Sequence, residues 1–242
     1  MVKKNPEIDN KQPLYGIFND IPPRYDLINR LITWGMDKQW RLKAAQACLV
    51  FRPRQILDLC CGTGDLVVTL AGLADYPAEI RGMDYSQPML DIATAKASAL
   101  LNKNIIFVRG EAAKMPFPDE FFDCIGVSFA FRNLTYKNPL AGRHLAEILR
   151  VLKKGGRCVI AESSQPANGF IRACYHFYMR QYAGRIGGWL SDNKAAYLYL
   201  GESTAGFYAP AELTELLVKS GFQKVNYQPL FFGAVGIYSA EK

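Results

Sequence analysis

The 242-residue sequence is poor in the residues that bind metals, and it lacks the patterns typical of disulfides or membrane spans. It contains two histidines and six cysteines, and no two cysteines form a CxxC pair. A zinc site is therefore not expected, and the cysteines are predicted to be reduced thiols in the core. No apolar run approaches the ~18 residues of a membrane-spanning helix. The polar stretch MVKKNPEIDNKQPLYG lacks an apolar signal core, which predicts a cytoplasmic protein.

The chain has little negative charge to balance its lysines and arginines, and its formal net charge is +7. The positive surplus lies in residues 1–60 and 166–200, whereas the basic and acidic residues of the remaining segments are nearly equal in number. Such a surplus suits nucleic acid or an anionic membrane surface, and it is equally compatible with a solvated face that binds nothing. We favour peripheral contact with the inner face of a membrane and no specific nucleic-acid partner. The sequence leaves open whether two copies form a homodimer.

Strands and helices alternate along the middle of the chain. Short apolar runs predict strands at residues 55–60, 78–86, 104–112, 121–131 and 157–164. Helical spacing of apolar residues predicts helices at 65–74, 87–101 and 140–156, the last of them ended by glycine. A helix and two closely spaced strands follow residue 201. The alternation predicts an α/β, doubly wound, mostly parallel sheet with a C-terminal antiparallel hairpin.

A glycine turn follows the first predicted strand, in the stretch LDLCCGTGDL at residues 57–66. A dinucleotide-binding turn would have a third glycine at the position of Val67, and a phosphate loop would have a lysine after its glycines. Asp65 also places a carboxylate at the start of the next helix, where a pyrophosphate would otherwise bind. The turn therefore favours a cofactor without phosphate.

S-adenosylmethionine is such a cofactor, because it carries a sulfonium, an ammonium group and a ribose diol. Gly62 and Gly64 allow the backbone to approach it closely. We predict that Asp58 accepts from the ammonium, Asp84 from the ribose hydroxyls, and Glu111 from the adenine amine. Each acid alone has an alternative as a helix cap or a surface charge. Together, at or just beyond the ends of three successive strands, they form a more specific set.

Six stretches resemble the ubiquinone/menaquinone-biosynthesis C-methyltransferase family: FNDIPPRYDLINRLITWGMDKQWR, LDLCCGTGDL, MDYSQPML, GEAAKMPFPDEFFDCIGVSFAFRNL, LKKGG and YLYLGES. The resemblance runs from near residue 15 to the end of the chain. It implies a Rossmann-like class I methyltransferase with a seven-stranded sheet and a helical cap over the site. It also implies S-adenosylmethionine as methyl donor, S-adenosylhomocysteine as product, and C-methylation of a polyprenyl quinol of the demethylmenaquinol-to-menaquinol type.

Within these stretches the resemblance implies further cofactor contacts, at Thr63, Tyr85, Met89, Ala112 and Ser128. We predict one methyltransferase domain over residues 1–242. Its parts are a flexible arm (1–14), an N-terminal helical lid (15–54), a cofactor-binding core (55–165), a helical substrate cap (166–200), and a C-terminal helix with two strands (201–242).

Methyl transfer to a quinol carbon requires a stabilised quinolate and little competing water. Arg132 and Asn133 follow the fourth predicted strand, at the edge where ligands of such sheets bind. We predict that Arg132, which stays protonated, stabilises the quinolate and organises a water that removes the ring proton, while Asn133 orients the ring. Tyr25 in the lid is predicted to exclude water. A structural ion pair for Arg132 and simple helix docking for Tyr25 remain alternatives.

The cap segment is rich in aromatic and basic residues. Its aromatics are a predicted wall for an isoprenoid tail, with core packing as the alternative: Phe170, Tyr175, Phe177, Tyr178, Tyr182 and Trp189. Its arginines are predicted to face lipid headgroups: Arg172, Arg180 and Arg185. His144, inside a predicted helix, is interpreted as structural, and His176 has no assignment.

Other functions stay open at this level. A class I methyltransferase acting on another small or lipidic acceptor, at oxygen, nitrogen or carbon, is the first alternative. A nicotinamide-dependent oxidoreductase is disfavoured by Val67 and Asp65. A non-catalytic nucleic-acid-binding protein leaves the three strand-end acids unexplained. The stretch IPPRY resembles the Pro-Pro-Tyr loop of enzymes that methylate nucleic-acid amines, but it precedes the first strand and so does not occupy that site.

Overall fold

A computed structural model describes residues 25–100, 104–183 and 194–242. The predicted arm (1–14), residues 15–24 of the predicted lid, Arg185 and Trp189 lie outside the described residues. The strands are β1 (Gln55–Leu59), β2 (Glu79–Asp84), β3 (Asn104–Arg109), β4 (Phe122–Ser128), β5 (Leu152–Ser163), β6 (Gln223–Leu230) and β7 (Val235–Glu241).

These strands form one seven-stranded sheet in the order β3-β2-β1-β4-β5-β7-β6. β1 to β5 pair in parallel, whereas β7 runs antiparallel to both β5 and β6. This confirms the predicted mostly parallel sheet with a C-terminal antiparallel hairpin. The strand order reverses between β1 and β4, and ligands of open α/β sheets bind at the carboxyl ends of the strands at such a point.

Helices cover both faces of the sheet. They are α1 (Tyr25–Ile32), α2 (Asp37–Leu49), α3 (Asp65–Leu73), α4 (Gln87–Ala97), α5 (Phe131–Thr135), α6 (Ala141–Val151), α7 (Gly169–Tyr178), α8 (Lys194–Ala205) and α9 (Pro210–Lys219). A π-helical turn, Met179–Ala183, continues α7. In β1, Ile56 packs in the core under α2, α3 and α4, while the next residue, Leu57, packs in the core under α5, α6 and α9. This alternation is what a strand buried on both faces requires.

A third, smaller apolar cluster joins the lid helix to the cap. Ile28 and Ile32 lie one helical turn apart on α1 and pack against Met179 of the π-helical turn. Tyr175 and Tyr178 of α7 surround them. None of the helices in the described ranges is both long and apolar enough to cross a lipid bilayer.

Several predicted element ends are wrong. The strand predicted over 104–112 ends at Arg109, and the helix predicted over 87–101 ends at Ala97. Two other differences have a physical reason. The helix predicted over 140–156 ends at Val151, and its two glycines lie in β5. The reason is long-range pairing: the Gly155 N–H donates to the Lys242 carbonyl, and the Lys242 N–H donates to the Gly156 carbonyl. The backbone of both glycines is thereby held by the end of the chain rather than by a helix.

The fourth strand also ends earlier than predicted, at Ser128. Phe129 has φ +58°, in the left-handed region, and turns the chain out of the sheet. The short helix α5 then begins at Phe131 and carries Arg132 and Asn133. The strain at Phe129 therefore places these two side chains above the strand ends.

Candidate active site

Two cavities lie at the carboxyl edge of the sheet on either side of a shared wall. The wall consists of Tyr25, Arg41, Phe129 and Asn133, which line both cavities. The cavity formed against residues 60–66 is called here the glycine-turn cavity. The other, enclosed mainly by α1, α2, α7 and α8, is called the apolar cavity and has a volume of about 400 Å³. That volume lies within the usual range for small-molecule sites.

The glycine-turn cavity gathers the predicted cofactor contacts. All of them except Gly64 line it: Asp58, Gly62, Thr63, Asp84, Tyr85, Met89, Glu111, Ala112 and Ser128. Gly64 instead closes the turn with φ +79°, and a Cβ there would stand 2.8 Å from the Cβ of Ala93 in α4. Its role is to let α3 begin close to α4.

Asp58 is the most constrained acid of the cavity. Its side chain is buried, and neither carboxylate oxygen has a well-aligned hydrogen-bond partner among the described residues. Burial raises its pKa well above the usual value, and Asp84 raises it further, against lowering contributions from Arg41 and the Val67 N–H. These contributions do not offset the burial of the carboxylate, so a cationic ligand group would stabilise it.

Asp84 is held at the end of β2 by backbone donors. The Gly62 N–H donates to its Oδ2 at 2.9 Å, and the Ser86 N–H donates to its Oδ1 at 3.0 Å. Burial raises its pKa despite these bonds. The Tyr85 N–H also lowers this pKa. A carboxylate has about four acceptor positions, so one remains for a ligand hydroxyl. Gly62 has φ +53° and open space where a Cβ would stand, which leaves room for a ligand against the turn.

Arg132 lies in the apolar cavity in a buried ion pair. Its backbone N–H donates to Glu162 Oε2 at 3.0 Å, and its Nη1 donates to Glu162 Oε1 at 3.2 Å. Nη1 also donates to Thr204 Oγ1 at 3.1 Å. The ion pair that the sequence left as an alternative therefore exists, and it fixes the guanidinium inside the cavity.

Unpaired polar atoms mark the boundary between the two cavities. Arg132 Nε, Asn133 Oδ1 and Ser128 Oγ are buried and make no hydrogen bond within the described part of the chain. Nε is a donor and Oδ1 an acceptor, and they belong to consecutive residues. A ligand hydroxyl, which both accepts and donates, would satisfy the pair.

Aromatic rings line the apolar cavity on the side of α2. The Trp40 ring lies 5.9 Å from that of Phe129 and 6.0 Å from that of Phe231, measured between centroids. The Arg41 guanidinium stands 5.5 Å from the Phe129 centroid. Arg41 is fixed by Asp37, with Nη1 2.5 Å from Oδ2. Arg41 was not among the predicted site residues, although the Asp37–Arg41 spacing of one helical turn is a recognisable signal.

Tyr25 closes the cavities from the lid side. Burial raises the pKa of its phenol, with smaller lowering contributions from a hydrogen bond to Asn29 and from Arg41. The phenol therefore stays neutral at physiological pH. The next residue, Asp26, accepts a hydrogen bond from Thr63 Oγ1 at 2.6 Å. The lid helix is thus attached directly to the glycine turn.

The cap supplies part of the predicted aromatic wall. Tyr175 and Tyr178 line the apolar cavity. Phe170 and Phe177 do not, because they point outward and are 79% and 68% exposed. His176, which sequence analysis could not assign, donates from Nε2 to Gln165 Oε1 at 2.6 Å. This bond connects α7 to the segment after β5.

Residues 7–242 match the model of the ubiE/COQ5 methyltransferase family. The chain is 39% identical to a demethylmenaquinone methyltransferase of Deinococcus radiodurans over 234 residues, 97% of this chain and 94% of that protein. It is 39% identical to another of Thermus thermophilus over 226 residues, 93% of this chain and 100% of that protein. A ubiquinone/menaquinone biosynthesis C-methyltransferase UbiE of Syntrophotalea carbinolica is 38% identical over 224 residues, 92% of this chain and 91% of that protein.

Solved structures share the fold at low sequence identity. A SAM-dependent methyltransferase from Aquifex aeolicus superposes with a TM-score of 0.55 and 19% identity, covering 78% of this chain and 82% of that chain. The S-adenosylmethionine-dependent methyltransferase SibL superposes with a TM-score of 0.65 and 17% identity, covering 94% of this chain and 61% of that chain. These similarities confirm the predicted Rossmann-like architecture.

Proposed function

This chain belongs to the ubiE/COQ5 methyltransferase family, and from that premise we propose that it methylates a ring carbon of a polyprenyl quinol, as in the conversion of demethylmenaquinol to menaquinol. It is an S-adenosylmethionine-dependent enzyme, and S-adenosylhomocysteine is its product. The names of the bacterial relatives support a quinone-type acceptor. The oxidoreductase and nucleic-acid-binding hypotheses are set aside.

The observation that carries the proposal is the shared wall between a polar and an apolar cavity. The glycine-turn cavity offers acids and backbone groups, whereas the apolar cavity offers mainly aromatic and aliphatic side chains. Asn133 and Tyr25 belong to both. The two cavities adjoin at these residues, so a small polar donor in one and a lipophilic acceptor in the other would lie next to each other.

The residues of the glycine-turn cavity fit the methyl donor. Asp58 would accept from the ammonium of S-adenosylmethionine, Asp84 from its ribose diol, and Glu111 from its adenine amine. The unpaired Asp58 oxygens and the open space at Gly62 are what such a ligand would fill. The bound cofactor supplies an electrophilic methyl group on a sulfonium. Acidic side chains suit that cation and oppose a diphosphate.

The acceptor is activated by two adjacent side chains. The Arg132 Nε–H donates to a quinol oxygen, and Asn133 Oδ1 accepts from the same hydroxyl, which satisfies both buried atoms. Before transfer this hydroxyl gives its proton to a water, and Arg132, which stays protonated, stabilises the negative charge left on the oxygen. That charge directs electron density to the neighbouring ring carbon, which takes the methyl group as the bond from the methyl group to the leaving sulfur breaks. A water beside Arg132 then takes the proton that the ring carbon loses and the oxygen regains one, so that one proton is released overall.

Water is kept from the reacting groups by the lid and the aromatic rings. Tyr25 remains a neutral phenol and covers both cavities, while Trp40 and Phe129 line the apolar one. This arrangement favours transfer to the quinol over loss of the methyl group to solvent. We also propose the predicted division of one domain into lid (15–54), cofactor core (55–165) and cap (166–200).

We propose further that the enzyme binds the cytoplasmic face of a membrane through the mouth of the apolar cavity. Trp34 and Phe232 line this cavity and are each 76% exposed, and Leu31 on the lid helix is exposed as well. Arg172 and Arg180 are exposed on the neighbouring cap helix and turn. Exposed aromatics next to cations fit the interface between lipid headgroups and acyl chains. The homodimer and the lack of a specific nucleic-acid partner stay predictions.

A panel of acceptors tests the acceptor assignment. Purified enzyme is given S-adenosylmethionine with each of four acceptors: reduced demethylated polyprenyl naphthoquinol, its oxidised quinone, the same reduced ring without a tail, and a tail-less phenol that is not a quinol. We expect turnover of the reduced acceptor only, and a much lower kcat/KM without the tail. Equal activity on a tail-less, non-quinol phenol would overturn the assignment to a polyprenyl quinol.

A further inference from the structure

His144 lies in the glycine-turn cavity, although nothing in the proposed mechanism uses it. The imidazole belongs to α6, is buried, and lines the cavity together with Glu111. Its Nδ1 stands 2.8 Å from the carbonyl oxygen of Leu134 in α5. His144 is predicted from the sequence to be structural, and its bond to Leu134 is a structural contact. The contact leaves the second ring nitrogen unexplained.

The bond to Leu134 determines which nitrogen carries the proton. A carbonyl oxygen only accepts, so Nδ1 must be the N–H donor. Burial lowers the pKa of His144, and nearby Arg143 lowers it too, against raising contributions from the Leu134 carbonyl and Glu111. The ring is therefore neutral at physiological pH. Nε2 then has a lone pair and no hydrogen, on a ring that lines the glycine-turn cavity.

Glu111 lines the same cavity and provides a second acceptor. Its negative charge raises the pKa of the His144 imidazole. The Arg143 Nε–H donates to the Ala113 carbonyl at 2.9 Å, which ties α6 to the loop that carries Glu111. Two hydrogen-bond acceptors, one on α6 and one on the loop attached to it, suit a ligand group that carries two hydrogens. The adenine amine of S-adenosylmethionine is such a group.

We propose that His144 selects the nucleobase: its Nε2 accepts a hydrogen bond from the exocyclic amine of adenine, beside Glu111, and rejects a 6-oxopurine. The proposal rests on the assignment of S-adenosylmethionine to the glycine-turn cavity. A 6-oxopurine presents an oxygen where adenine presents an amine, so it would place a third acceptor against two existing ones. The Leu134 bond prevents the ring from moving its proton to Nε2 in response.

His144→Asn separates the structural contact from the proposed recognition. The asparagine amide N–H can replace the Nδ1–H donor to Leu134, but asparagine is too short to replace Nε2. His176→Asn is the matched control, because the described contact of His176 is with Gln165 and not with this cavity. The probes are S-adenosylhomocysteine and its 6-oxo analogue, S-inosylhomocysteine, with binding followed by calorimetry.

We expect His144→Asn to bind S-adenosylhomocysteine about five- to tenfold more weakly than the unchanged protein, which corresponds to one lost hydrogen bond. The preference for the adenine over the 6-oxopurine ligand should shrink by a similar factor. His176→Asn should change neither value. If His144→Asn binds both ligands as the unchanged protein does, Nε2 has no part in recognition and the proposal is wrong.

A second measurement needs no variant. The chain has two histidines, so ¹⁵N-labelled histidine gives signals from two imidazoles. S-adenosylhomocysteine should shift the Nε2 resonance of the ring that is locked as the Nδ1–H tautomer. If neither Nε2 resonance moves on saturation, the proposal fails. No quinol is present in either experiment, so failure of the acceptor assignment would leave these results unchanged.

Discussion

Asp26 of the lid helix and Lys96 of α4 form an ion pair across the glycine turn, with Oδ2 2.5 Å from Nζ. Thr63 in the turn is bonded to both, because its hydroxyl donates to Asp26 and accepts from Lys96 at 3.0 Å. Lys96 also reaches Asp65 at 2.6 Å. These polar contacts connect the lid helix α1, which covers the glycine-turn cavity, to the glycine turn that forms one side of that cavity.

Asp26→Asn should therefore raise the Kd of S-adenosylhomocysteine by less than about tenfold. The Asp26–Lys96 pair is partly exposed, and such pairs contribute little more than about 1 kcal/mol. The change should come mainly from faster dissociation, measured by stopped flow. Glu215→Gln, which breaks the exposed Lys219–Glu215 pair on α9, is the control and should have no effect. An unchanged dissociation rate in Asp26→Asn would show that the pair does not hold the lid.

Asp58→Asn should lower cofactor affinity while stabilising the ligand-free protein. The loss of a charged acceptor for the ammonium predicts a Kd about 10- to 100-fold higher. The gain in Tm is expected because the variant no longer buries an unpaired carboxylate. Asp123→Asn is a control with the opposite expected effect on stability. Burial raises the pKa of Asp123, but the bonds from Lys153, Gln55 and Arg54 have the larger effect and lower it. The Asp123→Asn variant should therefore lose stability and bind the cofactor normally.

The pH dependence of stability follows from the raised pKa of Asp58. Between its unfolded value of about 3.9 and the higher folded value, the folded protein holds more protons than the unfolded one. This carboxyl therefore makes the ligand-free protein less stable as pH rises through that interval. Thermal melts across pH should show this contribution in the natural chain and its loss in Asp58→Asn. Identical dependence of Tm on pH in the two proteins would contradict the conclusion that Asp58 has a raised pKa in the folded state.

Arg132→Lys should impair chemistry and spare cofactor binding. Lysine keeps the positive charge opposite Glu162 but removes the Nε–H donor at the quinol oxygen. We expect kcat to fall on the order of 100-fold, as for the loss of one donor to a developing oxyanion. The Kd of S-adenosylhomocysteine should stay within about twofold of its value in the unchanged protein, a difference of less than about 0.5 kcal/mol, because the lost Nε–H donor does not contact that ligand.

Arg150→Lys makes the same exchange in another ion-paired arginine, which bonds Glu147 and Asp119 away from both cavities. Its kcat should be unchanged. If Arg132→Lys also retains the natural kcat, Arg132 serves only its ion pair with Glu162.

The membrane proposal predicts that the double variant Trp34→Ala and Phe232→Ala loses lipid binding. Removal of two interfacial aromatics should lower liposome affinity at least about tenfold. Co-sedimentation with anionic liposomes measures this. Phe51→Ala is the matched control, because Phe51 is 68% exposed but lies beside the start of β1, at the opposite edge of the sheet. Equal loss in both variants would show that these two residues are not a specific contact.

Local patterns were sufficient to predict the parts of the site that lie next to one another in sequence. The apolar run before Gly62 and the acid at the end of β2 predicted the glycine-turn cavity, and the placement of Asp58 and Asp84 agrees with it. Arg132 was found from its position after a predicted strand. Whether each of these residues acts as proposed stays a prediction.

The remaining features depend on contacts between distant residues. Glu162 meets Arg132 only because β5 lies beside β4 in the sheet. His144 lines the glycine-turn cavity only because α5 and α6 pack together above the same strands. The start of β5 at Leu152 was missed because its glycines pair with the last residue of the chain. The spacing of residues along a short stretch of sequence does not predict any of these long-range contacts.

The most direct test of the account is the position of the transferred methyl group. The enzyme is incubated with S-adenosylmethionine carrying a ¹³C methyl and with reduced demethylated polyprenyl naphthoquinol in lipid vesicles, and the lipid product is examined by mass spectrometry and carbon NMR. The account predicts one labelled methyl on a ring carbon of the quinol. Label on a quinol oxygen, or no label in the lipid while S-adenosylhomocysteine binds normally, would contradict it.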